Sequence, residues 1–259
     1  MTSDDRPNPS AAPVQKLRLR YAKRGPLRFT SHRDVARAFE RALRRAKVPM
    51  AYSQGFNPHP KISWIGAAPT GVASEAEYVE IQLVEVLEPD ELVRKLDSAM
   101  PPGIDLLEAV PATAHDPLAD RMEASQWRLE LPGVSPDTLR AAFARLLEAE
   151  VVEVERLTKH GMRTMDARSA IVSGWVEDDP DESPLTTPTE PCGILVVVVR
   201  QLTPAVRPDD VLSALRVVAA LEPPVPAKAT RMAQGRLDDC GGLSDPLAPD
   251  RAARASASR

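Results

Sequence analysis

Arg33, Arg37, Arg41, Arg44 and Arg45 recur at near-helical spacing in the stretch SHRDVARAFERALRRAKVPMAYSQGFNPHPKISW, Ser31 to Trp64. A guanidinium presents a planar fork of donors that matches two oxygens of a phosphate, so a row of them suits a polyanion. The turn that follows adds Tyr52 and Phe56, whose rings can stack on unpaired bases. It also adds Ser53, Asn57, His59 and Lys61, which can hydrogen-bond a base edge or a phosphate. Together with the arginines they form the candidate nucleic-acid-binding set. The plainer reading of any charge run is a solvated helix face. Against it, like charges four residues apart on a helix cost a few tenths of a kcal/mol each, and after Asp34 the sole acid up to Lys47 is Glu40.

The same stretch holds two histidines, His32 and His59. A histidine near a stabilising arginine can cleave RNA by general acid–base chemistry, so both are kept as an alternative catalytic pair. The leading expectation assigns no catalytic residue. A zinc-type site needs further ligands, with Asp34 or Glu77 recruited to it, and no metal is expected. His32 opens the helix and is expected to help its cap. Farther along, Arg163, Asp166 and Arg168 in MRTMDARSAI read as a structural ion-pair cluster.

Elements must hold these groups in place. Ser31 is a good N-cap and Asp34 its acidic partner in a capping box. Val35, Phe39, Leu43 or Ala42, and Ala46 recur at helical spacing as a core face, and Pro49 ends the helix. Before it, Val14 to Lys23 alternates like a half-buried strand with Lys16, Arg18 and Arg20 on a cationic outer face. After the turn come strands at Lys61 to Ala67 and Glu77 to Glu85, a helix at Glu88 to Met100 and a strand at Ile104 to Ala112. That βαββαβ string over residues 14–112 is the ferredoxin-like pattern. A linker is expected at 113–125, then a second ferredoxin-like domain at 126–237 whose last strand is missing or weak around AKATRMAQGRL. Residues 1–13 and 238–259 are expected to be disordered, with an acidic, proline-rich loop between Val176 and Cys192. The fold class is therefore α+β, two tandem ferredoxin-like halves, the second incomplete.

Composition sets the outer limits. The chain has 259 residues, 43% of them apolar, and a formal net charge of -4. Between Lys16 and Lys61, thirteen Lys and Arg stand against Asp34 and Glu40, so the positive charge is concentrated there. Such polarity points to an anionic partner. The longest apolar run, GILVVVV, has strand length, so no membrane span is expected. The first residues lack the basic-then-apolar order of a signal peptide. Cys192 and Cys240 fit no metal or disulfide pattern, and the expected location is the cytoplasm.

The first half also resembles a bacterial family of uncharacterised proteins, known as radical-SAM-linked because the domain is often fused to or encoded beside a radical S-adenosylmethionine protein. The resemblance runs through Ser31-His32, Asp34, Arg37, Glu40-Arg41-Ala42, Arg45-Ala46, Pro49, Tyr52-Ser53, Gly55-Phe56-Asn57-Pro58-His59-Pro60-Lys61, Gly71 and Glu77, and RTMDARSAIVSGWV looks like a later family element. It covers about residues 15–220. It implies a radical SAM protein as a partner, since two cysteines cannot hold a cluster here. No cofactor is expected in this chain. The expected function is an RNA-binding or accessory module that presents tRNA or rRNA to such an enzyme. The alternatives are an RNA-processing or RNA-modifying enzyme using His32 and His59, and a protein-docking module with a basic face.

Overall fold

The computed structural model describes residues 11–113, 116–158, 161–177 and 191–257. Along the chain run β1 (Gln15–Lys23), α1 (His32–Arg45), β2 (Ile62–Ile65), β3 (Ala73–Leu83), α2 (Pro89–Asp97) and β4 (Ile104–Pro111). They are followed by β5 (Ala124–Pro132), α3 (Pro136–Glu148), β6 (Glu153–Thr158), β7 (Gly161–Asp166) and β8 (Ile171–Glu177). Last come β9 (Cys192–Arg200), α4 (Pro208–Ala219), β10 (Lys228–Leu237), β11 (Leu243–Ser244) and α5 (Ala248–Ala257). The fold is α+β, with antiparallel pairing throughout the strand pairs described below and five α-helices among the described residues. No helix among them is long and apolar enough to cross a membrane. The chain divides into two compact units, one of Met1–Arg121 with Pro246–Arg259, the other of Met122–Asp245.

In the first unit β1 is central, with β4 on one side and β3 on the other, and β2 pairs with β3. One sheet face is packed by the helices: Leu17, Leu19 and Tyr21 meet Val35, Phe39 and Leu43 of α1 and Leu92 and Leu96 of α2. This follows from the period-2 pattern of the strand meeting the 3.6-residue pattern of the helices.

The other sheet face departs from the expected cationic, solvated surface. Arg18 is 2% exposed, because α5 folds over it. Its Nη1 donates to both carboxylate oxygens of Asp250 at 2.9 and 2.7 Å, and its Nε donates to Glu80 at 3.0 Å. Asp250 is fully buried and also accepts from Arg121 Nη1 at 2.7 Å and from the Thr113 backbone N–H at 3.0 Å. Arg121, 1% exposed, completes the cluster by bonding Asp116 at 2.6 and 3.0 Å. Burial acts to lower the Arg121 pKa, but the hydrogen bonds to Asp116 and Asp250 outweigh it and raise it. Charges so deep inside require this mutual pairing. Residues 238–259, read from sequence as a disordered tail, therefore contain a short strand and a docked helix in their described part. Arg251 to Glu108 at 2.6 Å and Arg254 to Glu88 at 3.4 Å hold the helix's outer side.

In the second unit the strand order is β10-β5-β9-β8, antiparallel throughout, with β6 and β7 forming a separate hairpin. The run Leu195 to Val199 is buried in β9, between two neighbouring strands. β10 is the strand that the sequence left missing or weak, and it is ten residues long. Its buried positions include Arg231 and Gln234, which break the apolar alternation. The Arg231 guanidinium sits 5.5 Å from the Trp127 ring centroid, a cation–π contact that lets a charge occupy a strand interior. The acidic loop lies almost wholly outside the described residues.

Asp166 closes the turn after the β6–β7 hairpin. Its carboxylate accepts from the backbone N–H groups of Val152 at 3.0 Å, Arg168 at 3.0 Å and Ser169 at 3.3 Å. Burial would raise its pKa, yet these hydrogen bonds hold the carboxyl below its ordinary value. Arg168 donates to the Leu147 and Ile171 carbonyls. The expected ion-pair cluster is thus a backbone-capping arrangement.

Candidate nucleic-acid interface

α1 starts at its cap. Ser31 Oγ accepts from the Asp34 N–H at 3.3 Å and donates to the Asp34 carboxylate at 2.6 Å, so the acidic partner engages the hydroxyl. Val35, Phe39, Ala42 and Leu43 are buried, which leaves Arg33, Arg37, Arg41, Arg44 and Arg45 exposed along the remaining surface. Arg37 reaches Asp34 at 3.5 Å, a fully solvated pair worth little. Arg45 donates to the Ala99 carbonyl at 3.4 Å. Among the described residues no carboxylate lies within 4.0 Å of Arg33, Arg41, Arg44 or Arg45.

Two other cations nearby are neutralised. Lys16 meets Glu80 at 2.6 Å, and Arg24 bonds Glu75 and Asp105 at 2.5 to 2.9 Å. The hydrogen bond that Arg24 donates to Glu75 is the main reason that the Arg24 pKa is raised. Arg20, Arg28, Lys47 and Lys61 also have no carboxylate within 4.0 Å among the described residues, so the cationic surplus is densest along the α1 edge without being confined to it.

The turn after α1 is built as a closed loop. Lys47 at φ 52° reverses the chain, and Ala51 and Lys61 zip onto Gln82 through backbone hydrogen bonds of 2.8 to 3.1 Å. Beyond them the Ser53 N–H donates to the His59 carbonyl at 2.8 Å, and the His59 N–H returns to Ser53 Oγ at 2.9 Å. Ser53 is thus the staple of the loop. Gly55 takes φ +136°, open to glycine and strained for other residues. At the tip Phe56 is 89% exposed, and Asn57 is exposed beside it.

Between helix and loop lies a groove of about 220 Å³. Glu40, Leu43 and Arg44 form its helical side, and Met50, Tyr52, Pro58 and His59 face them. The structure therefore brings Arg44, Tyr52 and His59 together. Arg33, Arg37, Arg41 and Arg45, with Ser53, Phe56, Asn57 and Lys61, lie outside its lining.

The two histidines have different surroundings. The His32 ring meets Trp64 edge-on at 5.2 Å, at the margin of a cluster in which Trp64 also packs on Phe39 and Tyr21. His59 is in the groove wall. No hydrogen bond or ring contact joins them among the described residues, and no group of three potential metal ligands occurs there. Sequence reasoning missed Glu40 as a groove residue and Asp250 as the counter-charge of Arg18. The lone acid in the arginine row was the available signal for the first.

The family model for an uncharacterised protein conserved in bacteria, DUF2344, matches residues 16–208. A search of curated proteins finds no match. With three quarters of its length matched, the chain belongs to that bacterial family.

Proposed function

We propose that this member of the family is an RNA-binding module without chemistry of its own, holding single-stranded RNA along the exposed arginines of α1 and against the loop that follows. The observation that carries this is selective neutralisation. The chain supplies carboxylates to Lys16, Arg18, Arg24 and Arg121, yet leaves Arg33, Arg41, Arg44 and Arg45 without one among the described residues. Phosphates are the natural counter-charges for such a row. Tyr52 lines the groove with Arg44, and Phe56 is exposed at the loop tip; both offer stacking faces.

The strand orders, β4-β1-β3-β2 in one unit and β10-β5-β9-β8 in the other, support reading each as a ferredoxin-like half. In RNA-binding folds of this type the open sheet face often carries the RNA. Here α5 lies over that face in the first unit, which favours the helix edge as the binding surface. The sequence resemblance is what suggests a radical SAM enzyme as the recipient; tRNA or rRNA as the ligand and the cytoplasm as the setting belong to the same proposal.

Fluorescence anisotropy with a labelled single-stranded RNA tests this. Binding should weaken with salt, log K falling against log salt with a slope of roughly -3 for four phosphate contacts. Arg41→Ala with Arg44→Ala should lower the slope by about 1.4. Salt-independent binding, or a double variant equal to the parent, overturns the reading. His59→Ala should leave the RNA uncut and the binding largely intact; loss of an RNA-cleaving activity in that variant would favour the enzyme instead.

A further inference from the structure

Glu40 is the one carboxylate lining the groove, on a helix whose exposed edge beyond the first-turn Asp34 is otherwise cationic. It stands four residues before Arg44, the orientation and spacing that most favour an intrahelical ion pair. Glu91 and Lys95 of α2 have the same spacing and pair at 2.5 Å. Glu40 and Arg44 do not come within 4.0 Å of each other, and no described cation pairs with Glu40. Both groups instead line the groove. A carboxylate kept apart from so many arginines leaves its two acceptor oxygens open to another donor.

We infer that the groove takes one unpaired guanine of the bound RNA, with Glu40 reading its Watson–Crick edge; this rests on the RNA-binding reading above. Guanine presents two adjacent donors there, N1–H and the N2 amino group, matching the two oxygens of an ionised carboxylate. Adenine and cytosine each place a ring-nitrogen acceptor beside a single amino donor, and uracil flanks its one N–H with carbonyls. All three set an acceptor against the carboxylate. The remaining lining fits a flat base: Leu43 and Met50 are apolar, Pro58 offers a ring face and Tyr52 an aromatic one. At about 220 Å³ the groove falls below the roughly 300–1,000 Å³ of drug-sized ligand sites, which suits a single base. Arg44, on the same wall, is placed to take the phosphate of that nucleotide.

The test uses oligouridine RNAs of one length carrying a single central guanine, inosine or adenine, with anisotropy read on the full chain. The guanine RNA should bind roughly 10- to 100-fold tighter than the adenine RNA, the range of one good bidentate base contact. Inosine, which lacks the N2 amino group, should fall between them. In Glu40→Gln the guanine-to-adenine ratio should collapse toward one, while thermal unfolding stays at the parent temperature. Equal binding of guanine and adenine RNAs by the parent, or a ratio that persists in Glu40→Gln, overturns the guanine assignment and leaves RNA binding standing. Failure of every RNA to bind in a salt-dependent way overturns both.

Discussion

Asp250 shows how much one side chain can hold. Removing its carboxylate takes the shared counter-charge from two buried guanidinium groups, leaving Arg18 with Glu80 alone and Arg121 with Asp116 alone. Asp250→Ala should therefore destabilise the first unit by about 3–5 kcal/mol, the usual consequence of breaking a buried ion pair. Urea unfolding measures it, and a loss below about 1 kcal/mol would show that water reaches the cluster. Asp166 answers to pH. Its folded pKa lies below the unfolded value of roughly 3.9, so its contribution is complete above that pH and disappears as pH falls through the folded value. The stability gap between the parent and Asp166→Asn should be full at pH 6 and narrow below about pH 4. A gap that stays constant to pH 3 would mean that the hydrogen bonds from Val152, Ser169 and Arg168 do not set the ionisation.

At the scale of elements, α1 and its loop differ in what sustains them. Ser31→Ala removes a cap and should cost about 1 kcal/mol in urea unfolding. Gly55 has open space around its Cα, so a methyl group there meets no neighbour, and any penalty arises from φ +136° alone. Gly55→Ala should cost roughly 1 kcal/mol or more locally, seen as faster hydrogen exchange at the Ser53 amide, which bonds the His59 carbonyl. Unchanged exchange would show that the loop absorbs the strain elsewhere. α1 was legible in the sequence because its determinants are local: a cap, and Val35, Phe39 and Leu43 three or four residues apart. The fate of Arg18 was not. On alternation alone it faces outward with Lys16 and Arg20, and its counter-charge stands 232 residues away. β10 escaped for a related reason, since Arg231 is buried through a ring contributed by Trp127 on another strand.

For the molecule as a whole, a count of charges says which segments are basic but not which cations are already spoken for. The surplus between Lys16 and Lys61 was visible in the sequence, whereas the neutralisation of Lys16, Arg18 and Arg24, and not of the α1 edge, depends on Glu75, Glu80, Asp105 and Asp250. Deleting residues 246–259 should deprotect β1 and β4 in hydrogen exchange more than β5 and β9, because Asp250 and Arg251 bond the former pair's side chains. Equal deprotection would show that α5 supports both units alike. The long separation of Arg18 from Asp250 also has a consequence for biosynthesis. At roughly 5–20 residues per second, translation delivers the aspartate about 12–46 s after the arginine. The amino-terminal unit therefore spends that interval with Arg18 and Arg121 lacking the carboxylate they share.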